Sequence, residues 1–248
     1  MERKHITKYF DVVKAISYDQ TEFITTYSNM YTKGVPCLVP NVKQTDEKIE
    51  GWILEIAAKK KWDKRDVFNI FAWKTGKILS DKKTAPYSKI EDLKYAEGCD
   101  PKNMIIKAYS EFSIQGLAEY IVGNLDELKK DAKNGCGIDA FIKIAENCNC
   151  NEIGTVYILT LLFFLSNKEQ PIYDTYVMRA LRSFDSDDIK PGSKIKGMKA
   201  VPRKTETEKV KEFYSEFKSK LEEKFGTSYK IDRKVDQALW VYGHYFTV

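Results

Sequence analysis

Gly154-Thr155-Val156-Tyr157-Ile158-Leu159-Thr160-Leu161-Leu162-Phe163-Phe164-Leu165, then Pro171-Ile172-Tyr173-Asp174-Thr175-Tyr176-Val177-Met178-Arg179, is the stretch on which the fold of this chain turns. Gly154 precedes Asp174 by 20 residues, so a helix of about three turns fits between a backbone turn and a carboxylate that opens the next helix. The first helix, from about Thr155 to Leu165, is apolar enough to be buried. A glycine turn, a buried helix and a helix-opening carboxylate make a site geometry as well as a fold geometry.

The stretch resembles the catalytic segment of the helix-hairpin-helix DNA glycosylases. In that family the hairpin ends in a Val-Gly or Ile-Gly step, and the essential aspartate follows at a similar distance in a Pro-Val-Asp-Thr-x-Val-x-Arg context. Ile153-Gly154 and Asp174-Thr175-Tyr176-Val177-Met178-Arg179 carry the likeness, which covers roughly residues 135 to 183. It implies an all-α, two-lobed helical fold with a helix-hairpin-helix-like element and an interlobe cleft. Residues 1–248 would form a single glycosylase-like unit, approximately 1–100 plus 175–248 as one lobe and 101–174 as the central lobe with the hairpin. The first and last helices would pack together.

Two positions depart from the family pattern. The usual hairpin reads Leu-Pro-Gly-Val-Gly, whose glycines let backbone N–H groups approach a phosphate; here it reads Cys150-Asn151-Glu152-Ile153-Gly154. Glu152 brings a negative charge toward the place a phosphate would occupy, which predicts weaker anchoring. Two residues past the glycine, bifunctional members carry a nucleophilic lysine, and this chain has Val156. Valine forms no Schiff base, so the resemblance implies at most a monofunctional enzyme without strand cleavage by that route.

Composition sets the frame. The chain has 248 residues and 43% hydrophobic content, enough for a real core in one large domain or two lobes. The start, Met1-Glu2-Arg3-Lys4-His5, lacks the apolar run of a signal peptide, and the longest apolar run, 156–165, is too short to span a bilayer. The expectation is a cytoplasmic protein with no membrane partner. Five cysteines at irregular spacing (Cys37, Cys99, Cys136, Cys148, Cys150) fit a reducing compartment better than a disulfide framework. With two histidines and no paired Cys-x-x-Cys spacing, no metal site is expected. No cysteine follows residue 150, so the iron–sulfur loop of some glycosylases is missing. Thr75-Gly76-Lys77 lacks the upstream glycine of a phosphate-binding loop, so no cofactor is expected.

The net charge of +5 is local. Residues 189–204 hold Lys190, Lys194, Lys196, Lys199, Arg203 and Lys204 with no acid, so that this segment alone exceeds the charge of the whole chain. Pro191-Gly192, Gly197 and Pro202 make it a loop. It reads either as a phosphate-contacting loop beside the Asp174 helix or as a solvated connector.

Elsewhere the periodicity is helical. Ile49, Trp52, Ile53, Ile56 and Ala57 recur at helical spacing after Thr45 and Asp46, and Val67, Phe68, Phe71 and Ala72 after Asp63. Short helices follow through Leu117, Leu128 and Phe141, then a long one over about 206–225 and a last one over about 235–245. Strand is expected only in short pieces within residues 19 to 40. Residues 76 to 102, with Gly76, Pro86, Gly98 and Pro101, are the expected connection between lobes.

Candidate site residues follow from both readings. Asp174 is either an N-cap or, by the resemblance, the carboxylate that meets the positive charge developing at C1′ and orients or deprotonates water. Gly154 and Thr155 are a turn and helix start that double as a backbone anchor for one phosphate. Lys194, Lys196, Lys199 and Arg203 are the candidate phosphate contacts. Trp73, Asp236 and Trp240 are candidates to line a pocket for a flipped base, though Trp73 and Trp240 read first as core. The expected function is a hydrolase of DNA repair: it binds double-stranded DNA, flips a damaged or modified base and cleaves its N-glycosidic bond. The alternative is an inactive DNA-binding or protein-interaction module on the same scaffold.

Overall fold

A helix with no polar face has to be enclosed on every side, and much of this chain is organised around one. The computed structural model describes residues 20–33, 47–79, 89–108, 110–184, 202–226 and 233–244. Among them are ten α-helices and one two-stranded sheet, a mostly helical architecture. The helices are α1 (Gln20–Lys33), α2 (Glu47–Glu55), α3 (Lys64–Lys74), α4 (Gln115–Gly123), α5 (Leu125–Lys133), α6 (Ile138–Glu146), α7 (Thr155–Leu165), α8 (Thr175–Ser183), α9 (Thr207–Phe225) and α10 (Arg233–Gly243). The strands are β1 (Ile105–Lys107) and β2 (Glu111–Ser113). The chain forms two compact units, each discontinuous: a central unit of Lys43–Ile172 with Pro202–Lys211, and a terminal unit of Met1–Val42, Tyr173–Val201 and Glu212–Val248.

In the central unit, α7 is buried at every position from Ile158 to Leu165. Among the described residues α3, α5, α6 and the 3-10 turn Ile56–Ala58 pack against it. From α3, Phe71 stacks on Tyr157 of α7 with ring centroids 5.7 Å apart, and Trp73 meets Phe164 edge-on at 5.7 Å. Asp63 starts α3 with a reciprocal cap: its side chain accepts from Asp66 N at 2.9 Å, and Asp66 accepts from Asp63 N at 3.2 Å, an arrangement that satisfies two orphan donors of the first turn. Gly137, between α5 and α6, has φ +73°, and a Cβ there would come 3.1 Å from the Ala132 carbonyl oxygen and 3.3 Å from Leu162 Cδ1. Both the backbone angle and the close approach to α7 therefore call for glycine. Gln170, just past the C-terminal end of α7, donates to the same Ala132 carbonyl at 3.0 Å.

In the terminal unit, α10 packs on both α1 and α8. Phe23 and Tyr27 of α1, Phe184 at the end of α8 and Tyr242 of α10 form its aromatic core. Tyr173 lies under Phe213 and Phe217 of α9. Arg182 of α8 binds Glu216 of α9 through two parallel hydrogen bonds of 3.1 and 3.0 Å, the fork geometry that suits guanidinium to carboxylate. Gly243 marks a close crossing of α10 and α8, because a Cβ at that position would overlap the backbone of Tyr176.

Three expectations are corrected. Residues 20–33, where strand pieces were expected, form α1: Phe23 and Tyr27, one turn apart, are buried together against α10, and this helical period prevails over the β-favouring residues. The sheet lies at 105–113 instead, with Ile106 and Phe112 facing each other and buried. The described part of 76–102 is no interlobe connection, since it lies within the central unit and pairs its own backbone: Leu79 N donates to Lys94 O at 2.9 Å and Ala96 N to Lys77 O at 2.8 Å. The division between units falls near residue 42, not near 100, because α7 needs the aromatic side chains of α3 to cover it.

Candidate functional site

Gly154 belongs to the central unit and Asp174 to the terminal unit, so each is built up within its own surroundings. The chain leaves the central unit after Ile172, and Asp174 follows at once as the N-cap of α8. It has extended backbone (φ −147°, ψ 150°), and its Oδ1 accepts from Tyr176 N at 2.9 Å. The side chain is half-buried. A short acceptor followed by a helix-forming run is the local reason for this cap.

Around it the terminal unit assembles aromatic and basic groups. His244 stacks face to face on Tyr176 with centroids 3.5 Å apart, and Trp240 tilts against His244 at 4.0 Å. Tyr31 meets Trp240 edge-on, and the Arg179 guanidinium lies over the Tyr176 ring at 4.9 Å. His244 Nδ1 is 2.7 Å from the Trp240 carbonyl oxygen; a carbonyl only accepts, so Nδ1 carries the proton and donates. Burial pushes the His244 pKa down, with the Asp174 charge opposing and the Arg179 charge adding to the effect. The imidazole is thus a neutral group near pH 7. Burial, reinforced by Asp174, pushes the Tyr173 phenol well above its usual range, so it stays protonated.

The turn between α6 and α7 is held by the segment that begins at Pro202. Thr155, 2% exposed, donates its hydroxyl to the Pro202 carbonyl. Lys204 Nζ donates to the carbonyls of Cys148 at 2.7 Å and Cys150 at 2.6 Å. Both carbonyls lie in the turn that follows α6, beyond its last residue Glu146, and the Cys150 carbonyl also accepts from Ile153 N at 3.3 Å. Arg203 N donates to Glu206 Oε2 at 3.0 Å, which starts α9. Exposed Glu152 has its carboxyl held below the usual range, first by the Cys150 thiol that donates to it and also by the nearby Lys204 charge. The turn therefore presents an anion. The Cys150 thiol is pushed up by burial first, and by Glu152.

The sequence-derived residues are distributed as follows. Gly154 has φ −87°, and a Cβ there would meet nothing within 4 Å, so the fold itself makes no demand for glycine. Thr155 has its side chain turned into the structure, and only its backbone faces the helix start. Arg203 is exposed; Lys194, Lys196 and Lys199 lie outside the described residues. Trp73 is 7% exposed and packs against Phe164, a core position. Asp236 is buried in an ion pair with Arg233, whose guanidinium also donates to Tyr31 Oη at 2.9 Å. Trp240 is half-buried in the aromatic group beside Asp174.

Sequence reasoning passed over Tyr176, His244 and the strap role of Lys204. Trp240 and His244 are four apart on one helix face, and Gly243 beside them signalled a close approach; nothing in the sequence marks Lys204 as different from its basic neighbours. Among the described residues no group of three or more His, Cys, Asp or Glu side chains is placed to hold a metal ion, and no helix is long and apolar enough to cross a membrane. Compared with known proteins, no family model, no curated protein and no solved structure matches the chain.

Proposed function

We propose that this protein is a monofunctional DNA glycosylase-like hydrolase that binds double-stranded DNA, accepts a flipped damaged or modified base and cleaves its N-glycosidic bond with Asp174. The observation that carries the reading is the placement of Asp174: a half-buried carboxylate, capping α8 where the chain passes out of the hairpin-bearing unit. N-glycosidic cleavage builds positive charge at C1′, and a fixed carboxylate stabilises it with little reorganisation. The discontinuous terminal unit, in which α1 packs on α10, also supports the reading, since it joins the two ends of the chain around α8.

Asp174→Asn is the discriminating variant. Asparagine caps a helix as well as aspartate does, so the fold should persist while the charge is lost. Release of bases from a panel of damaged duplexes should fall by on the order of 10²–10³ or more, with duplex affinity equal or higher. Wild-type rates in the mutant would remove Asp174 from the mechanism. A specific observation favours a second reading, an inactive DNA-binding or protein-interaction module on the same scaffold: the turn carries the charge of Glu152, and its Thr155 hydroxyl is spent on Pro202. A wild-type protein that binds duplex yet releases no base from any lesion supports that reading.

A further inference from the structure

The hairpin turn is poorly equipped to hold a phosphate, and the central unit has a better equipped surface elsewhere. Between the short 3-10 turn at Ile56–Ala58 and α3 the chain reads Lys59-Lys60-Lys61-Trp62-Asp63, and all three lysines are exposed. The loop is fixed at several points. Lys59 N donates to Ile56 O at 3.1 Å, and the Trp62 indole donates to the same carbonyl at 2.9 Å. Trp62 is 4% exposed. Asp63 is locked in the capping box of α3, and Lys59 Nζ reaches Asp66 at 2.5 Å.

A fourth cation is brought in from α5. Lys129 donates to the Lys59 carbonyl and lies over the Trp62 ring, 5.4 Å from its centroid. Burial pushes its pKa down, and Asp126 and Asp66 oppose this while Lys133 adds to it. Three acids of the neighbourhood already have partners, while exposed Asp126 bears on Lys129. Glu127 and Asp131 of α5 both bind Lys143 of α6, and Asp66 is shared between Lys59 and the α3 cap. Lys60 and Lys61 have no ion-pair partner among the described residues. On a loop whose backbone is anchored, and with Lys129 beside it, they are like charges that repel one another. Lys60 and Lys61, exposed and without an ion-pair partner among the described residues, fit the regularly spaced charges of a phosphodiester backbone, while Asp66 is the anion paired with Lys59.

We propose that Lys59, Lys60 and Lys61, with Lys129 beside them, form a phosphate-backbone contact surface for duplex DNA on the central unit. The proposal rests on the reading of the chain as a DNA-binding protein and is independent of whether it releases a base. Such contacts release counterions, so they contribute a slope of about 0.9 per phosphate to the dependence of log K on log salt.

The test replaces Lys60 and Lys61 by serine, two exposed side chains whose loss leaves the anchors of the loop in place. Binding to a short mixed-sequence duplex is measured across a salt series, and folding is checked by circular dichroism. The slope should flatten by about 1.8, which corresponds to roughly 30-fold weaker binding near 0.15 M salt. Lys209→Ser with Lys211→Ser, which lowers the net charge equally but removes cations already paired with Glu206 and Glu208, should change the slope by far less. Equal effects of the two double variants would reduce the surface to general charge and overturn the proposal, as would an unchanged slope. Polyglutamate serves as a second probe: if the Lys60/Lys61 variant loses affinity for it but not for duplex, the surface takes an acidic protein, and the proposal fails. A wild type that binds duplex with the expected slope but releases no base would sink the glycosylase reading alone, whereas absence of duplex binding would sink both.

Discussion

Gly243→Ala should disrupt the crossing that holds α8, and with it the Asp174 cap, against α10. A Cβ at 243 would lie 3.0 Å from the Tyr176 Cα and 2.5 Å from its carbonyl carbon, with the carbonyl oxygen nearer still. Ordinary contact begins at about 3.4 Å, and the carbonyl oxygen sets the distance, so the two helices must part by about 1.6 Å or bend. The obstructing atoms are backbone, and no rotamer change relieves them. Overpacking of this kind costs about 1–3 kcal/mol, and a backbone clash belongs at the upper end. Alanine returns part of about 1 kcal/mol in helix propensity, less than the full amount because Gly243 ends its helix. The net loss should be about 2 kcal/mol, or a Tm lower by about 4–8 °C for a chain of this size. Urea unfolding gives the free energy, and near-UV circular dichroism gives a second readout, since parting the helices unstacks His244 from Tyr176. A variant within about 0.5 kcal/mol of wild type, with an unchanged near-UV spectrum, would show that the crossing relaxes freely and that the reasoning is wrong.

Lys204→Ala should leave the Cys148 and Cys150 carbonyls without their cation and cost about 2 kcal/mol, reading the two charge-assisted bonds at roughly 1 kcal/mol each after solvent screening of a half-buried lysine; hydrogen exchange should speed up across residues 148–154, and unchanged protection would remove the strap from the account. Thr155→Val should strand the Pro202 carbonyl and cost about 1–3 kcal/mol in urea unfolding, whereas a neutral effect would mean the hydroxyl contributes nothing there. His244 has a depressed folded pKa, so the unfolded state binds its proton first: its contribution is fully present above the unfolded value of about 6.5 and is lost as pH falls through the folded pKa. Stability measured between pH 7.5 and 5 should therefore decline more steeply for wild type than for His244→Phe, and parallel curves would refute the assignment.

The local features of this chain were set by residue order. Asp63 and Asp174 announce helix starts because a short side-chain acceptor satisfies orphan N–H groups whatever surrounds it, α7 begins and ends where the pattern placed it, and α8 begins where Asp174 places it. The burial of Ile158–Leu165 was legible because no face of that helix tolerates water. Tertiary structure decided the rest. Whether residues 47–79 belong with the chain ends or with the centre depends on the ring of Phe71 finding Tyr157 and that of Trp73 finding Phe164, contacts across some ninety residues that no local period encodes. Lys204 and Lys60 are the same residue type in equally basic runs. One is drawn onto two carbonyls and the other is left facing solvent, because a lysine takes whichever acceptor the packed backbone brings within reach, and that acceptor is fixed only when distant segments meet.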